Sequence, residues 1–266
     1  MIEIRLRPES PNKTIMQAYI SQNKSSDAAI VIFPGGGYWD KSEHEGKGYA
    51  EFLNKFGYNA FVVQYTTKRQ CSSYMPEQLL DARAAIRYLR ANSSLYGINK
   101  KKIYVMGSSA GGHLAALVST CKEHFEIEIA ESYNDEDYLP DGQILCYPVI
   151  ELYGKNAHVD SAKNLLGDIY NTENCKKYSP NLSAEAETPP AFIWHTFTDS
   201  CVPVENSLDY ASRLVEIGTE VELHTYPTGE HGLGLANELV YVSDWSRLLL
   251  KWLERKDKNH REKDDK

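Results

Sequence analysis

The sequence predicts an α/β architecture in which a mostly parallel, eight-stranded sheet carries helices on both faces. Two observations lead there. Short apolar runs alternate with stretches of helical period along most of the 266 residues, which is the pattern of strands joined through crossover helices. Glycine-rich turns also sit directly behind two of those runs, at Gly35–Gly37 and Gly107–Gly112, where a strand hands over to a helix at close quarters. With 42% hydrophobic residues the chain is long enough to bury a large core, and one domain over residues 1–255 accounts for it.

In chain order, the strand runs are Ile2–Leu6, Met16–Ile20, Ala29–Phe33, Ala60–Tyr65, Ile103–Met106, Gln143–Tyr147, Ala191–Phe197 and Val221–Tyr226. Helix candidates fall between or after them at Gly46–Phe56, Pro76–Tyr96, Ala110–Cys121, Pro203–Ile217 and Asn237–Glu254. The second of these shows the helical period well. Leu79, Leu80, Ala84, Ile86, Leu89 and Leu95 form an apolar stripe, and Arg83, Arg87 and Arg90 are expected to face outward. Two stretches break the rhythm. Lys122–Asp141 is acidic and reads as a solvated loop. Glu151–Pro190 has weak periodicity and several breakers, and reads as a small inserted cap of short helices over the carboxyl edge of the sheet. Residues 256–266 are almost wholly charged or polar and are expected to form a frayed, flexible tail.

Composition narrows the function. A formal net charge of −8 argues against nucleic acid and anionic membrane as partners, since both favour a concentrated basic surface. The amino terminus lacks the basic segment and apolar run of a signal peptide, and no later stretch is long and apolar enough to span a bilayer, so a soluble, cytoplasmic protein is expected. The five cysteines, Cys71, Cys121, Cys146, Cys175 and Cys201, are scattered and form no CxxC pair. They read as free thiols, with neither a disulfide framework nor a metal site suggested. Cys201 reads as a core or pocket-lining thiol.

The strongest local signal is Gly107-Ser108-Ser109-Ala110-Gly111-Gly112-His113, between an apolar strand and an apolar helix. That context is what a GxSxG nucleophile elbow requires: small residues let strand and helix meet at a sharp turn, and the serine hydroxyl projects from the sheet edge. Only Ser109 stands two residues from each flanking glycine, so it is the expected nucleophile and Ser108 a turn residue. A phosphate site is the competing reading of this turn, but the GKS/T and GxGxxG spacings are missing. The second signal is Pro34-Gly35-Gly36-Gly37-Tyr38-Trp39. Consecutive glycines make sense where backbone N–H groups turn toward a bound oxygen, so Gly36 and Gly37, with the N–H of Ala110, are the expected oxyanion hole.

Of eight histidines, His231 sits best for a general base, in a loop behind the last strand run. His195 and His224 fall within strands and are expected to pack or bond locally, while His113 reads as packing or supporting the site. Asp199 follows a strand and precedes a helix, which places it at the same edge as the orienting acid. Glu205, in the helix start, is the runner-up. The order Ser109, Asp199, His231 is that of α/β-hydrolases.

At this point the chain resembles the small acetyl-esterase group of the α/β-hydrolases, related to hormone-sensitive-lipase-like esterases and acetyl xylan esterases. The resemblance runs from about residue 29 to 231 through PGGGY, DARAAIRYLR, GSSAGGHLAA, TDSCVPVENS and the EHG loop. It implies hydrolysis of short-chain, above all acetyl, esters on a sugar or similar small molecule, with no cofactor. Members of the group often dimerise, although no interface signature stands out in this sequence. The chain departs from the group at Pro34, where related lipases carry the histidine of HGGG. A second likeness is to the HGGYW loop of kynurenine formamidases, with Gly35 where their histidine stands, which implies an arylformamide hydrolase as the rival. A non-catalytic ligand-binding member of the fold is the alternative of another class. Tyr38 and Trp39 adjoin the glycine loop and are the candidates to stack on a sugar or aromatic leaving group, with surface or cap packing as the alternative.

Overall fold

The computed structural model describes residues 2–8, 10, 12–69, 75–123 and 135–264, with side chains through Lys258. The strands are β1 (Ile2–Arg5), β2 (Ile15–Tyr19), β3 (Ala29–Phe33), β4 (Asn59–Gln64), β5 (Ile103–Ser108), β6 (Gly142–Cys146), β7 (Ala191–Thr196) and β8 (Val221–Tyr226). The helices are α1 (Glu43–Lys55), α2 (Glu77–Ala91), α3 (Ser93–Tyr96), α4 (Ser109–Thr120), α5 (Val159–Leu166), α6 (Thr172–Lys177), α7 (Pro180–Ser183), α8 (Glu205–Glu216) and α9 (Asp244–Asp264). The strands form one eight-stranded sheet in the order β1-β2-β4-β3-β5-β6-β7-β8. β2 is antiparallel to both β1 and β4, and every later pairing is parallel.

Alternation along each strand divides the core in two. Ala29, Val31 and Phe33 of β3, with Ile103 and Val105 of β5, pack with Ile86 of α2, Leu114 of α4 and Tyr210 of α8. Ile30 and Ile32, with Tyr104 and Met106, pack on the other face with Tyr49 and Leu53 of α1 and Trp245, Leu249 and Trp252 of α9. There Trp194 of β7 stacks on Trp245, with centroids 4.9 Å apart and planes 16° from parallel. Such an aromatic pair adds about 1 kcal/mol to the burial of its surface.

Several boundaries differ from the sequence reading. The run 76–96 is not one helix: α2 ends at Ala91, the Asn92 amide bonds back to the Tyr88 carbonyl at 2.9 Å, and α3 follows as a separate turn. Nor do its arginines face outward. Arg83 is 1% exposed and donates to the carbonyls of Cys121 and Glu123, while Arg87 and Arg90 donate to those of Glu136 and Asp137. The cause is the backbone they reach, whose carbonyls belong to no ladder and need donors that a guanidinium supplies in a fork. The last helix begins at Asp244 because Ala236 adopts φ +53° and residues 236–243 are held in turns. That helix continues to Asp264, through the segment read as a frayed tail. Asp257 accepts from Ser26 at 2.6 Å and lies 3.4 Å from Lys102, and Lys256 pairs with Glu220 at 2.6 Å. Residues 124–134 of the acidic segment and Cys71 lie outside the described residues. Among the described residues no helix is long and apolar enough to cross a membrane.

Residues 151–190 contain α5, α6 and α7, short helices between β6 and β7. Asn164 of α5 donates to the Gly37 carbonyl at 2.9 Å, which ties this insertion to the glycine loop.

Candidate active site

β3 pairs with β4 on one side and β5 on the other, so the chain leaves β3 one way and returns on the opposite side, opening a crevice at the carboxyl ends of the strands. Phe33 lies opposite Gly107 in the sheet. The turn behind β5 therefore sits beside the glycine loop behind β3. Close packing demands the glycines of that turn: a Cβ on Gly107 would stand 2.1 Å from the Gly111 carbonyl oxygen, and one on Gly111 would stand 2.0 Å from that of Phe33.

Ser109 holds φ +52°, a left-handed conformation that a side-chain-bearing residue adopts only under constraint. Its Oγ lies 2.8 Å from His231 Nε2, and His231 Nδ1 lies 2.6 Å from Asp199 Oδ2. The three residues come from the ends of β5, the segment behind β7 and the loop behind β8, and the fold brings them into one hydrogen-bonded line. Ser108 is fully buried and bonds the Tyr49 hydroxyl at 2.8 Å, facing away from that line. Glu205 is exposed in the first turn of α8.

Asp199 is clamped. Oδ1 accepts the N–H groups of Cys201 and Val202, both at 2.9 Å, and Oδ2 faces His231 and, at 3.3 Å, His195 Nε2. Burial alone would raise its pKa, but the hydrogen bonds from His195, His231 and Val202 outweigh it and hold the carboxyl well below the usual carboxylate range. His195 bonds locally, as its strand position suggests, with Nδ1 2.8 Å from Ser207 Oγ and Nε2 3.0 Å from the Val202 carbonyl. Its contact with Asp199 carries no sequence signal, because the two meet only through the turn behind β7.

In the glycine loop, Gly36 and Gly37 adopt φ +132° and +62°. Their carbonyls are engaged, Gly36 by Trp39 and Asp40 N–H groups and Gly37 by Asn164. Among the described residues their own N–H groups have no partner in the chain. Ala110 is the second residue of α4, where N–H groups lack an intrahelical acceptor. Gly36, Gly37, Ser109 and His231 line a cavity of about 240 Å³, together with Glu45, His158 and Cys201.

Tyr38 is not available to substrate. It is fully buried, and its hydroxyl bonds His113 Nδ1 at 2.8 Å, while His113 Nε2 bonds the Tyr178 carbonyl at 2.9 Å. A third positive φ in succession, +58°, turns the Tyr38 side chain inward beneath the loop, where it packs edge-on to Tyr65. Trp39, 52% exposed, remains at the surface.

His158, Glu45 and Tyr147 escaped the sequence reading. His158, at the N-cap of α5, accepts from Ser161 N–H through Nδ1 and places Nε2 3.5 Å from Cys201 Sγ. Burial first, and then the neighbouring imidazole of His231, lower its pKa against the pull of Asp160 and Asp199. Glu45 lies one residue before the apolar-periodic stretch by which α1 was recognised. Its carboxylate accepts the Gly35 N–H at 2.9 Å, and so supports the loop from the helix side where Pro34 replaces the histidine of HGGG.

The sheet order, the strained serine at a strand-to-helix turn and the chain order serine, aspartate, histidine define an α/β-hydrolase. Within that fold the chain belongs to the BD-FAE family, whose pattern matches residues 16–214. It is 38% identical to an acetyl ester-xyloside bifunctional hydrolase from Caldicellulosiruptor lactoaceticus, and the two structures superpose with a TM-score of 0.88 over 96% of each chain. Endo-1,4-beta-xylanase B of Butyrivibrio fibrisolvens is 39% identical over 86% of this chain and 36% of its own length. Acetylxylan esterase of Xylanibacter ruminicola is 32% identical over 91% of this chain and 48% of its own. The chain thus spans less than half the length of each of these two relatives.

Proposed function

We propose that this protein is a serine esterase that removes short acyl groups, above all acetyl, from carbohydrate esters. The observation that carries the reading is the unbroken hydrogen-bonded line from Asp199 through His231 to Ser109 Oγ. His231 Nε2 takes the Ser109 proton as Oγ attacks the ester carbonyl, and Asp199 holds the Nδ1–H tautomer and the imidazolium that forms. The N–H groups of Gly36, Gly37 and Ala110 receive the oxyanion, each donor of this kind contributing roughly 3 kcal/mol to the transition state. His231 returns the proton to the leaving alcohol, and water repeats the sequence on the acyl-enzyme.

The size of the cavity supports a short acyl group: at about 240 Å³ it falls below the roughly 300–1,000 Å³ of ordinary small-molecule pockets. A wider groove of about 840 Å³ adjoins it through Gly232, lined by Thr198, Thr228, Glu230 and Asn237 beside Leu233 and Leu239. Hydroxyl, amide and carboxylate groups over an apolar floor suit a saccharide leaving group. The names of the relatives point the same way.

The test is hydrolysis of 4-nitrophenyl acetate, butyrate and octanoate beside acetylated xylo-oligosaccharides and N-formylkynurenine, by wild type and Ser109→Ala. Acetate-selective turnover with acetyl release from the sugar, abolished in the variant, is expected. Preference for N-formylkynurenine would replace the reading with an arylformamide hydrolase, and turnover that survives Ser109→Ala would end it.

A further inference from the structure

The Glu45 carboxylate plays no part in the steps above, yet it is 3% exposed and makes no ion pair among the described residues. A carboxylate buried without a cation is costly unless its oxygens are met by other donors. Both are. Oε2 accepts the Gly35 N–H at 2.9 Å, and Oε1 accepts the Tyr147 hydroxyl at 2.6 Å. The same hydroxyl accepts the Gly234 N–H at 2.9 Å, and the Tyr147 ring packs edge-on to His231 with centroids 5.2 Å apart.

One carboxylate and one phenol thus join the loop that presents Gly36 and Gly37 to the loop that carries His231, through three hydrogen bonds. A parallel tie runs beside them, from His44 Nε2 to the Gly232 carbonyl at 2.9 Å. The packing leaves little slack. A Cβ on Gly35 would stand 2.4 Å from Glu45 Oε2, and one on Gly234 would stand 2.7 Å from His44 Cδ2.

We propose that Glu45, relayed by Tyr147, is a positioning residue that sets the separation between the oxyanion donors and the catalytic histidine. The two loops leave different strands, β3 and β8, at opposite sides of the crevice, and no backbone hydrogen bond joins them among the described residues. Donors must lie about 3 Å from the developing oxyanion while His231 keeps its bond to Ser109, and a misplacement of about 1 Å costs on the order of 100-fold in rate. The activity arm of the test rests on the esterase reading, whereas the exchange arm does not.

Glu45→Gln keeps the shape but must turn its carbonyl to Gly35, so that its NH₂ meets a Tyr147 hydroxyl already accepting from Gly234. Glu45→Ala and Tyr147→Phe cut the relay outright. With 4-nitrophenyl acetate, kcat per folded enzyme is expected to fall about 100-fold in Glu45→Ala and Tyr147→Phe, and about 10-fold in Glu45→Gln, with KM within a factor of about three. The double variant should be no slower than the slower single one, because both break one relay. Hydrogen exchange of wild type and Glu45→Gln supplies the second arm, with faster exchange expected in the peptides covering 34–40 and 230–236 together. Multiplicative losses in the double variant, a change in KM alone, or exchange altered in only one loop or neither would overturn the proposal. Absence of wild-type turnover would sink the esterase reading and leave the exchange arm to decide this one.

Discussion

Replacing Asp199 by asparagine tests the site most sharply, because the structure dictates which way the new amide must face. Oδ1 accepts two backbone N–H groups, from Cys201 and Val202, both at 2.9 Å. Turning the NH₂ toward them would leave both donors unpaired, the buried Val202 N–H alone costing roughly 1–3 kcal/mol. The amide oxygen therefore stays on Cys201 and Val202, and the NH₂ takes the place of Oδ2, 2.6 Å from His231 Nδ1. A donor there requires Nδ1 to accept, so the proton moves to Nε2, which then faces Ser109 with no lone pair to take its hydrogen. In a serine–histidine–aspartate triad that tautomer costs about 10,000-fold in kcat, or about 5 kcal/mol at 1.36 kcal/mol per decade. A smaller folding cost, about 1–3 kcal/mol, follows from setting the NH₂ against His195 Nε2–H, which lies 3.3 Å from the replaced oxygen. The assay is steady-state hydrolysis of 4-nitrophenyl acetate at neutral pH, on protein shown to be folded by circular dichroism, with urea unfolding alongside. KM should change little. A loss below 10-fold in folded Asp199→Asn would refute the assignment of tautomer control to this residue.

Neighbouring glycines of the loop behind β3 should respond unequally: a Cβ on Gly36 meets the Asp40 carbonyl oxygen at 2.2 Å in a backbone only glycine adopts, whereas one on Gly37 meets nothing. Gly37→Ala is expected to lose about 1 kcal/mol of stability for its positive φ and Gly36→Ala about 3 kcal/mol or more with most of the activity, as read by urea unfolding and kcat; equal losses would count against the loop geometry. His113 is fully buried between Tyr38 and Tyr178, and burial pushes its pKa down to about 4. The unfolded chain takes up that proton near pH 6.5, so the stability that the neutral ring contributes is complete above about pH 6.5 and is lost as pH falls toward about 4, by up to roughly 3 kcal/mol. The drop in unfolding free energy between pH 7 and pH 5 should shrink in His113→Gln, and an unchanged drop would show that another group titrates in this window. Trp39→Ala is expected to raise KM for an acetylated xylo-oligosaccharide severalfold, worth about 1 kcal/mol of lost stacking, while 4-nitrophenyl acetate is hydrolysed as before; equal effects on both substrates would remove Trp39 from sugar recognition.

Much of this protein is legible in one dimension. Strand runs such as Ala29–Phe33 and Ile103–Met106 are short, apolar and buried on both faces, so composition alone marks them, and each is followed by glycines whose spacing only close approach explains. Ser109, Asp199 and His231 could be picked out because each sits where a strand ends, and strand ends of a parallel sheet share one edge. Helix limits were less legible. Ala236 carries no mark of its left-handed backbone, so the helix beginning at Asp244 looked longer upstream, and a tail of charged residues gave no sign of the carboxylate that Ser26 and Lys102 hold.

Local pattern determined which residues form strands and turns and which side chains carry reactive groups, because those depend on neighbours a few positions away. Tertiary structure alone decided the rest: that Tyr38 turns inward to His113 and not outward to substrate, that Arg83 caps buried carbonyls, that His195 reaches Asp199, and that Glu45 meets Gly35 and Tyr147. Each of those contacts depends on how a side chain pairs its polar atoms inside a packed interior. That depends on which distant backbone groups are left without partners, and the linear sequence does not record it.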